Sequence, residues 1–271
     1  MNEINMKVAI LGANGRMGRV LIEALRENEE ADLAVATVRD DSPWVGIDVG
    51  ELAGIGTQGV SCSAVSTLNP DDVDVVIDFP LPAAFDDNLA WCVANKKPVV
   101  IGTTGLSEQQ LIALDEAAKQ IPLVFAANYS VGVNVMLALV KQAALVLGNT
   151  ADIEILEAHH RFKQDAPSGT AMAIGQAIAD TLGRNLQECA VYGREGKEPP
   201  REHKTIGFAT VRAGDIVGEH TALFADIGER LEITHKASSR LTFAKGAVHA
   251  ALWLSSRENG RYGMDDVIGL A

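Results

Sequence analysis

A short apolar run followed at once by three regularly spaced glycines constrains this chain more than any other feature. Residues 7–11 predict a buried strand, and a helical pattern begins after Gly12, Gly15 and Gly18. Such a turn lets the backbone approach a pyrophosphate, and the helix N-terminus offers N–H groups and a partial positive charge. The spacing differs from Gly-x-Gly-x-x-Gly, because Ala13 and Asn14 occupy the intervening positions. We expect a dinucleotide to bind at Gly12, Ala13, Asn14, Gly15, Arg16 and Met17; the alternative is a glycine-rich turn without a ligand.

The order of predicted elements indicates two domains. Strands at 31–38, 73–78, 98–101 and 123–126 alternate with helices at 83–95 and 107–119, which is typical of a Rossmann-like, doubly wound parallel sheet of the α/β class. After Tyr129 come a long helix at 133–147, a strand at 152–158, a helix at 168–182 and strand-like runs at 205–212, 216–224 and 230–235. We therefore predict a dinucleotide-binding domain over 1–130, with 240–271 packing back on it. An α+β, substrate-binding domain with a mixed or antiparallel sheet is expected over 131–239.

Cofactor choice is expected at the end of the second strand, where an acid would hold the ribose 2′-hydroxyl of NAD. Val38 and Arg39 occupy this position, and a guanidinium suits a 2′-phosphate, so we expect NADPH to be used as well as NADH or better. In the alternative, Arg39 is solvated and Asp40 or Asp41 binds the ribose. Two later loops follow strands of the same sheet and are expected to line the nicotinamide end, unless they are only turns: Gly102, Thr103 and Thr104, then Ala126, Ala127, Asn128 and Tyr129.

The segment 154–171 concentrates proton donors and positive charge in an otherwise acidic chain. His159 and Lys163 are the candidate acid/base residues, because imidazole titrates near neutrality and an ammonium can donate a proton. Ser168, Gly169 and Thr170 are predicted to open a helix whose N–H groups bind a carboxylate. With His160 they indicate a pocket for a small anionic substrate that carries more than one carboxylate. The alternative is that Ser168 only caps the helix and the histidines are structural.

Composition narrows the class of partner. The formal net charge of −13 argues against nucleic acid and against an anionic membrane surface. The three scattered cysteines indicate neither a disulfide framework nor a metal site, and adjacent histidines without a third ligand make a metal improbable. The first six residues lack the pattern of a signal peptide, and the longest apolar stretch, 131–148, is interrupted by Lys141 and Gln142. We expect a cytoplasmic protein.

The stretch from Glu154 to Ala171 resembles the 4-hydroxy-tetrahydrodipicolinate reductase (dihydrodipicolinate reductase) family. The family pattern Glu-(Leu/Val)-x-Glu-x-His-x-x-x-Lys-x-Asp-x-Pro-Ser-Gly-Thr-Ala is matched throughout, except that Ile155 replaces leucine or valine. The resemblance extends over almost the whole chain, through 8–18, 100–105, 125–134 and 207–220.

This resemblance implies a reduction by NADPH or NADH in lysine and diaminopimelate biosynthesis, with loss of the substrate's 4-hydroxyl as water. It implies that His159 is the acid/base residue and Lys163 the proton donor. It also implies that the substrate carboxylates are bound by His160, Gly169 and Thr170. A homotetramer built through the second domain is also implied. Since family members commonly carry an acid where Val38 stands, a strong NADH preference is not expected here.

Two other functions compete with this interpretation. A dehydrogenase of another small amino or keto acid, such as an aspartate dehydrogenase, would share the nucleotide domain but lack the continuous 159–170 segment. A redox sensor that only binds NAD(P) would not need clustered proton donors.

Overall fold

The computed structural model describes residues 5–197 and 199–270, which form two compact units. Unit 1 comprises Met1–Val131 and Arg240–Ala271, and unit 2 comprises Gly132–Ser239. Residues 1–4, Glu198 and Ala271 lie outside the described residues. Residues 1–4 belong to the segment in which no signal peptide was expected, and Glu198 belongs to the segment 194–204, whose charges and two adjacent prolines are typical of an exposed loop. Within the two described stretches, every helix is too short or too polar to cross a bilayer.

Unit 1 is built on a seven-stranded sheet in which every pair is parallel. Elements are numbered along the chain. The strands, in spatial order, are β12 (Gly260–Tyr262), β6 (Pro122–Phe125), β5 (Val99–Ile101), β4 (Val75–Asp78), β1 (Met6–Leu11), β2 (Ala31–Val38) and β3 (Cys62–Ala64). The helices are α1 (Arg16–Arg26), α2 (Val49–Ala53), α3 (Phe85–Ala94), α4 (Glu108–Ala118), α8 (Leu241–Leu254) and α9 (Met264–Val267).

The sheet buries a separate hydrophobic core on each face, which explains its nearly continuous apolar strands. Val8 and Ile10 face the core formed with α1 and α8, whereas Ala9 and Leu11 face the core formed with α3 and α4. The strand order reverses between β1 and β4, and ligands of open α/β sheets bind beyond the carboxyl ends of strands at such a point. The predicted doubly wound α/β sheet is therefore confirmed.

Several short elements of unit 1 were not predicted. The segment 46–59 contains α2, although its glycine content is typical of a loop. β3 and β12 each have only three residues. Asp48 stabilises this segment, because its carboxylate accepts hydrogen bonds from the N–H groups of Gly50, Gln58 and Gly59 at 2.7–2.9 Å. Such local side-chain bonds carry no apolar periodicity, so the sequence pattern gives little sign of them.

Unit 2 is an α+β fold with a five-stranded sheet. In spatial order its strands are β11 (Glu229–Ala237), β10 (Gly218–Asp226), β7 (Asp152–His159), β9 (Ile206–Arg212) and β8 (Ala190–Tyr192). Its helices are α5 (Val131–Leu147, whose first residue belongs to unit 1), α6 (Gly169–Thr181) and α7 (Leu186–Cys189). β7 runs antiparallel to β10 and parallel to β9, so of the two predicted alternatives the sheet is the mixed one.

Strand β7 positions the predicted catalytic segment through its alternation. Ile153 and Ile155 are completely buried in the core with residues of α5 and α6. Successive side chains of a strand point to opposite faces, so Glu157 and His159 continue this buried face, and both are indeed buried. The strand therefore brings a carboxylate and an imidazole to the end of the core, where its backbone turns towards α6.

Candidate active site

The turn after β1 has the geometry of a phosphate-binding loop. Gly12 adopts a positive φ of 78°, and the N–H groups of Gly12 and Ala13 both donate to the carbonyl oxygen of Thr37. A Cβ added at Gly18 would lie 2.5 Å from the carbonyl oxygens of Gly12 and Ala13. The third glycine is therefore required for the close approach of helix α1 to the turn.

The N-terminus of α1 remains open to an anion. Its N-cap is Gly15, which has no side chain to satisfy the first N–H groups, and the first turn consists of Arg16, Met17, Gly18 and Arg19. Asn14, Gly15 and Arg16 are exposed. N–H groups, the helix dipole and a guanidinium meet at the switch point of the sheet, so these residues fit the pyrophosphate of a dinucleotide.

Arg39 lies beyond β2, where the 2′ position of an adenosine ribose is expected. Its guanidinium is exposed and 3.7 Å from Asp41, which is a weak surface contact. Asp40, one of the two acids in the alternative interpretation, already accepts a hydrogen bond from the N–H of Ser66 at 3.1 Å. Arg39, Asp40 and Asp41 are all exposed at the end of β2, so each of the groups named in the two interpretations lies near the expected ribose position.

The two loops predicted to line the nicotinamide end both follow parallel strands, β5 and β6, at the same sheet edge. Thr104 and Ala127 are exposed there, while Gly102, Ala126 and Asn128 are half-buried. Gly102 is required by packing, since an added Cβ would overlap the Phe79 ring at 2.2 Å.

Two side chains predicted for these loops point instead into unit 1. Thr103 is buried, and its hydroxyl lies 3.4 Å from the Asp78 carboxylate and 3.2 Å from the carbonyl oxygen of Pro80. Tyr129 is buried with its hydroxyl 2.7 Å from the carbonyl oxygen of Ile101. Only the backbone of these two residues is therefore placed to meet a cofactor.

In unit 2, His159 is held by a carboxylate that the sequence reasoning did not single out. Its Nδ1 makes a very short hydrogen bond with Oε2 of Glu157. Burial alone would raise the pKa of Glu157, but the hydrogen bonds from Arg212 and His159 outweigh it and lower that pKa. Glu157 is therefore ionised at neutral pH.

The pKa of His159 is lowered. Burial is the main cause, and the charges of Lys163 and Arg212 act in the same direction, against the raising effect of Glu157. His159 is therefore mostly neutral at neutral pH. Since an ionised carboxylate can only accept, the proton of neutral His159 is on Nδ1, and Nε2 carries a lone pair.

Lys163 and His160 lie in the turn that follows β7. The Lys163 ammonium is 2.9 Å from Asp165, and its side chain is 21% exposed. The hydrogen bond from Lys163 lowers the pKa of Asp165, so this carboxyl group is ionised at neutral pH. The ring of His160 is half-buried beside Phe162, and its carbonyl oxygen accepts from the N–H of Lys163.

The N-terminus of α6 is joined directly to this cluster. Ser168 is the N-cap, and its hydroxyl accepts from the N–H of Ala171 at 3.2 Å. The N–H of Ser168 donates to Oε1 of Glu157 at 3.1 Å. Ser168 thus has the capping role that was the alternative interpretation, whereas Gly169 is exposed and Thr170 is half-buried. A helix N-terminus and His159 consequently share one carboxylate.

His220, which was not among the predicted site residues, lies within the site. It is buried, its ring centroid is 5.1 Å from that of His159, and its Nε2 is 3.0 Å from the hydroxyl of Ser168. Burial and the neighbouring His159 lower its pKa to about 4, so His220 is neutral. The antiparallel register places His220 opposite Glu157, and such long-range pairing cannot be read from local spacing.

The same register brings His220 to Glu157 and His159, so three side chains of the kinds that bind metals lie together, although no third ligand was predicted. Donor atoms of Glu157, His159 and His220 lie within 4.8 Å of one another. The carboxylate is already neutralised by Arg212, whose two terminal nitrogens each donate to it at 2.9 Å. A cation would have to displace this guanidinium, so the group fits a hydrogen-bonded acid/base cluster better than a metal centre.

Two models of one protein family match the sequence over almost the whole chain. A family model described as the N-terminus of dihydrodipicolinate reductase matches residues 6–129, and one described as its C-terminus matches residues 132–268. Both halves of the chain therefore fit the same family.

Individual relatives agree over their full length. A 4-hydroxy-tetrahydrodipicolinate reductase of Pseudoalteromonas atlantica is 64% identical over 265 residues, which cover 98% of this chain and 99% of the relative. The protein of the same name from Hahella chejuensis is 57% identical over 97% and 99% of the two chains. A solved dipicolinate-bound dihydrodipicolinate reductase from Paenisporosarcina sp. TG-14 shares the fold, with a TM-score of 0.74 and 23% identity over 96% and 98% of the chains.

Proposed function

The chain belongs to the dihydrodipicolinate reductase family, and from this premise we propose that it reduces 4-hydroxy-tetrahydrodipicolinate to tetrahydrodipicolinate in lysine and diaminopimelate biosynthesis. The 4-hydroxyl leaves as water together with a hydrogen of the neighbouring carbon, which forms a double bond to C4. NADPH or NADH, when bound, would supply a hydride to C4 of this double bond, and the neighbouring carbon then takes up a proton.

One observation carries the proposed site: Glu157 contacts both His159 and the N-cap of α6. This contact places an acid/base group beside a helix N-terminus that suits a carboxylate. In the proposal, Gly169, Thr170 and His160 bind the substrate carboxylates. The positive charge of Lys163 suits the dianionic substrate and stabilises negative charge that develops on it during reduction.

The protonation states separate the roles of His159 and Lys163. Neutral His159 has its proton on Nδ1, directed to Glu157, so Nε2 can accept a proton but has none to give. Lys163 is the cation beside it, and its ion pair with Asp165 keeps the ammonium within the site. We therefore assign delivery of the proton to Lys163 and the acceptor role to His159.

An assay with dihydrodipicolinate synthase as the coupling enzyme, following NADPH oxidation, tests this function. We expect His159→Gln combined with Lys163→Ala to lower kcat by at least 10²-fold, since positioned acid–base groups contribute about 10²–10⁴-fold. His203→Gln combined with Lys204→Ala is the matched control, because these exposed residues of unit 2 carry the same chemical groups. Unchanged turnover in the first variant, or no NADPH oxidation by the wild type, would reject the assignment.

For the cofactor, we propose that NADPH and NADH are both used and that Arg39 contacts the 2′-phosphate. The exposed guanidinium at the end of β2 supports this. We expect Arg39→Ala to raise the KM for NADPH about tenfold or more while the KM for NADH changes less than twofold. An unchanged NADPH KM would exclude the contact.

A homotetramer is the proposed assembly, built through unit 2. One face of its sheet packs on α5 and α6, whereas the other carries exposed apolar side chains, among them Leu156 and Val211 at 43% and 52% exposure. Light scattering should give about four times the chain mass of 28.7 kDa. Leu156→Glu should lower that mass, whereas Ile112→Glu, on the exposed face of α4 in unit 1, should not.

A cytoplasmic location stays a proposal, supported by the three free cysteines Cys62, Cys92 and Cys189, which suit a reducing compartment.

A further inference from the structure

Glu157 accepts five hydrogen bonds in the candidate site, although the proposed chemistry assigns it neither a proton transfer nor a contact with the substrate. Only 3% of this residue is exposed. Its Oε1 accepts from Arg212, from the N–H of Ser168 and from Thr210, and its Oε2 accepts from Arg212 and His159. A buried carboxylate with five donors has its position and its ionised state fixed by its surroundings.

Sheet register explains why the guanidinium reaches this carboxylate. In the parallel pair of β7 and β9, Glu157 lies opposite Thr210, and His159 lies opposite Arg212. Arg212 therefore approaches from the end of the neighbouring strand and donates from both terminal nitrogens at 2.9 Å. Its second anchor is the carbonyl oxygen of Asp165 at 2.6 Å, which ties it to the loop that carries Lys163.

This arrangement leaves one tautomer for His159. The other four donors around Glu157 are N–H and O–H groups, and the carboxylate has no proton to donate, so Nδ1 of His159 must be the protonated nitrogen. The lone pair is consequently on Nε2. An added Cβ at Gly218 would lie 3.1 Å from Nε2, so a side chain at that position would crowd the lone pair.

We propose that Glu157 is a positioning residue, which Arg212 holds ionised and which fixes the tautomer and orientation of His159 relative to the N-terminus of α6. His159 and the N–H of Ser168 bind the two oxygens of the Glu157 carboxylate. A movement of Glu157 would therefore shift both the imidazole and the N-terminus of α6, where a substrate carboxylate is proposed to bind. This proposal rests on the proposed function for its effect on turnover. Its effect on the tautomer does not depend on which substrate is reduced.

Glu157→Gln is the sharpest test, because the amide keeps the shape of the side chain but replaces one acceptor oxygen with a donor and removes the charge. Three donors, from Ser168, Thr210 and one nitrogen of Arg212, meet at the Oε1 position, whereas only the other nitrogen of Arg212 competes with His159 at the Oε2 position. The amide oxygen therefore takes the Oε1 position, and the amide nitrogen faces His159 and donates to Nδ1 at the loss of one hydrogen bond from Arg212. The protonated nitrogen of His159 therefore changes from Nδ1 to Nε2. Glu154→Gln is the matched control, since Glu154 is also on β7 and is paired with Arg194 and Arg201, but on the opposite face.

Nitrogen-15 NMR of labelled histidine reads the tautomer directly, without substrate. The signals of His159 are assigned by their loss in His159→Gln. In Glu157→Gln we expect the Nδ1 signal to move to the shift of a nitrogen without a proton and the Nε2 signal to move to the shift of a protonated nitrogen. In Glu154→Gln we expect neither change. Retention of the Nδ1–H tautomer in Glu157→Gln would overturn the proposal, whether or not the enzyme reduces the proposed substrate.

Kinetics then separates positioning from general damage. We expect kcat of Glu157→Gln to fall about 10²–10⁴-fold, by analogy with the wrong-tautomer variant of a catalytic triad, while KM changes less than threefold. Dipicolinate, a planar dicarboxylate, should bind within threefold of wild type by calorimetry. Equal losses of kcat and of dipicolinate affinity, or a wild-type kcat, would contradict a positioning role.

A second variant covers the case in which Glu157→Gln does not fold. Glu157→Asp keeps the charge and shortens the side chain by one methylene, so it should retain the Nδ1–H tautomer. Its kcat should be at least tenfold higher than that of Glu157→Ala. Activity of Glu157→Asp no higher than that of Glu157→Ala would show that charge at this position does not govern His159.

Discussion

Asp78 should make the stability of unit 1 fall as the pH rises. It ends strand β4 with 2% exposure, and its carboxylate accepts from Nδ2 of Asn88 at 2.7 Å and is 3.4 Å from the hydroxyl of Thr103. Burial raises its pKa from 3.8 to about 7, against the lowering effect of these two hydrogen bonds. The carboxyl is therefore protonated in the folded state at pH values where it is ionised in the unfolded chain.

The sign and size of the effect follow from this difference. A raised folded pKa gives a contribution that is complete below the unfolded value of 3.8 and is lost as the pH rises to the folded value of about 7. Each pH unit in this window costs about 1.4 kcal/mol. Between pH 5 and pH 8.5 the free energy of unfolding should therefore fall by about 3 kcal/mol through Asp78, with most of the loss below pH 7.5.

Asp78→Asn should remove this dependence, because an amide does not ionise. All three tryptophans, Trp44, Trp91 and Trp253, lie in unit 1, so urea denaturation followed by tryptophan fluorescence reports on the unit that contains Asp78. Other groups titrate in both proteins, so the measured quantity is the unfolding free energy of the variant minus that of the wild type at each pH.

We expect this difference to rise by about 3 kcal/mol in favour of the variant between pH 5 and pH 8.5. Asp74→Asn is the control, since Asp74 precedes the same strand but is exposed. A variant-minus-wild-type difference that stays constant with pH would refute the reasoning, because Asp78 would then be ionised in the folded protein as it is in the unfolded chain.

Two further predictions concern the ends of helices. Gly18→Ala should weaken NADPH binding at least tenfold by calorimetry, because the added Cβ would lie 2.5 Å from two carbonyl oxygens of the turn; retained affinity would show that the turn relaxes without cost. Ser168→Ala removes the cap of α6 and should lower the unfolding free energy by about 1 kcal/mol. It should also lower kcat. Ser107→Ala, which removes the cap of α4, should cost the same stability with kcat unchanged, and an equal loss of kcat in both would refute a special role for Ser168.

The fold was largely predictable because its signals are local. The apolar strands of unit 1 and the glycine turn at 12–18 are encoded by neighbouring residues, and predicted and observed bounds of β2 coincide at Ala31 and Val38. β3 and β12 have three residues each and escaped prediction, because they lack the apolar run by which the equally short β5 was predicted. Their formation depends on the sheet that they extend.

The candidate site was predictable only where its residues are close in sequence. His159 and Lys163 belong to one short segment, but Arg212 and His220 reach the site through the pairing of β7 with β9 and β10. Such contacts span about fifty residues, and a single sequence gives no sign of the register. The same limit affected Thr103 and Tyr129, whose buried hydroxyl groups could not be distinguished from groups that face a ligand.

One sequence signal could have revealed Glu157 in advance. In strand β7, Ile153 and Ile155 are followed at the same two-residue interval by Glu157 and His159, so the buried face changes from apolar to ionisable within one strand. A charged residue on a buried face requires a partner of opposite charge, and this requirement predicts a cation on a neighbouring strand. Arg212 on β9 meets it. The site therefore begins where the hydrophobic core of unit 2 ends. Because Arg212 neutralises Glu157, the carboxylate can stay ionised while buried, and it then orients the buried His159.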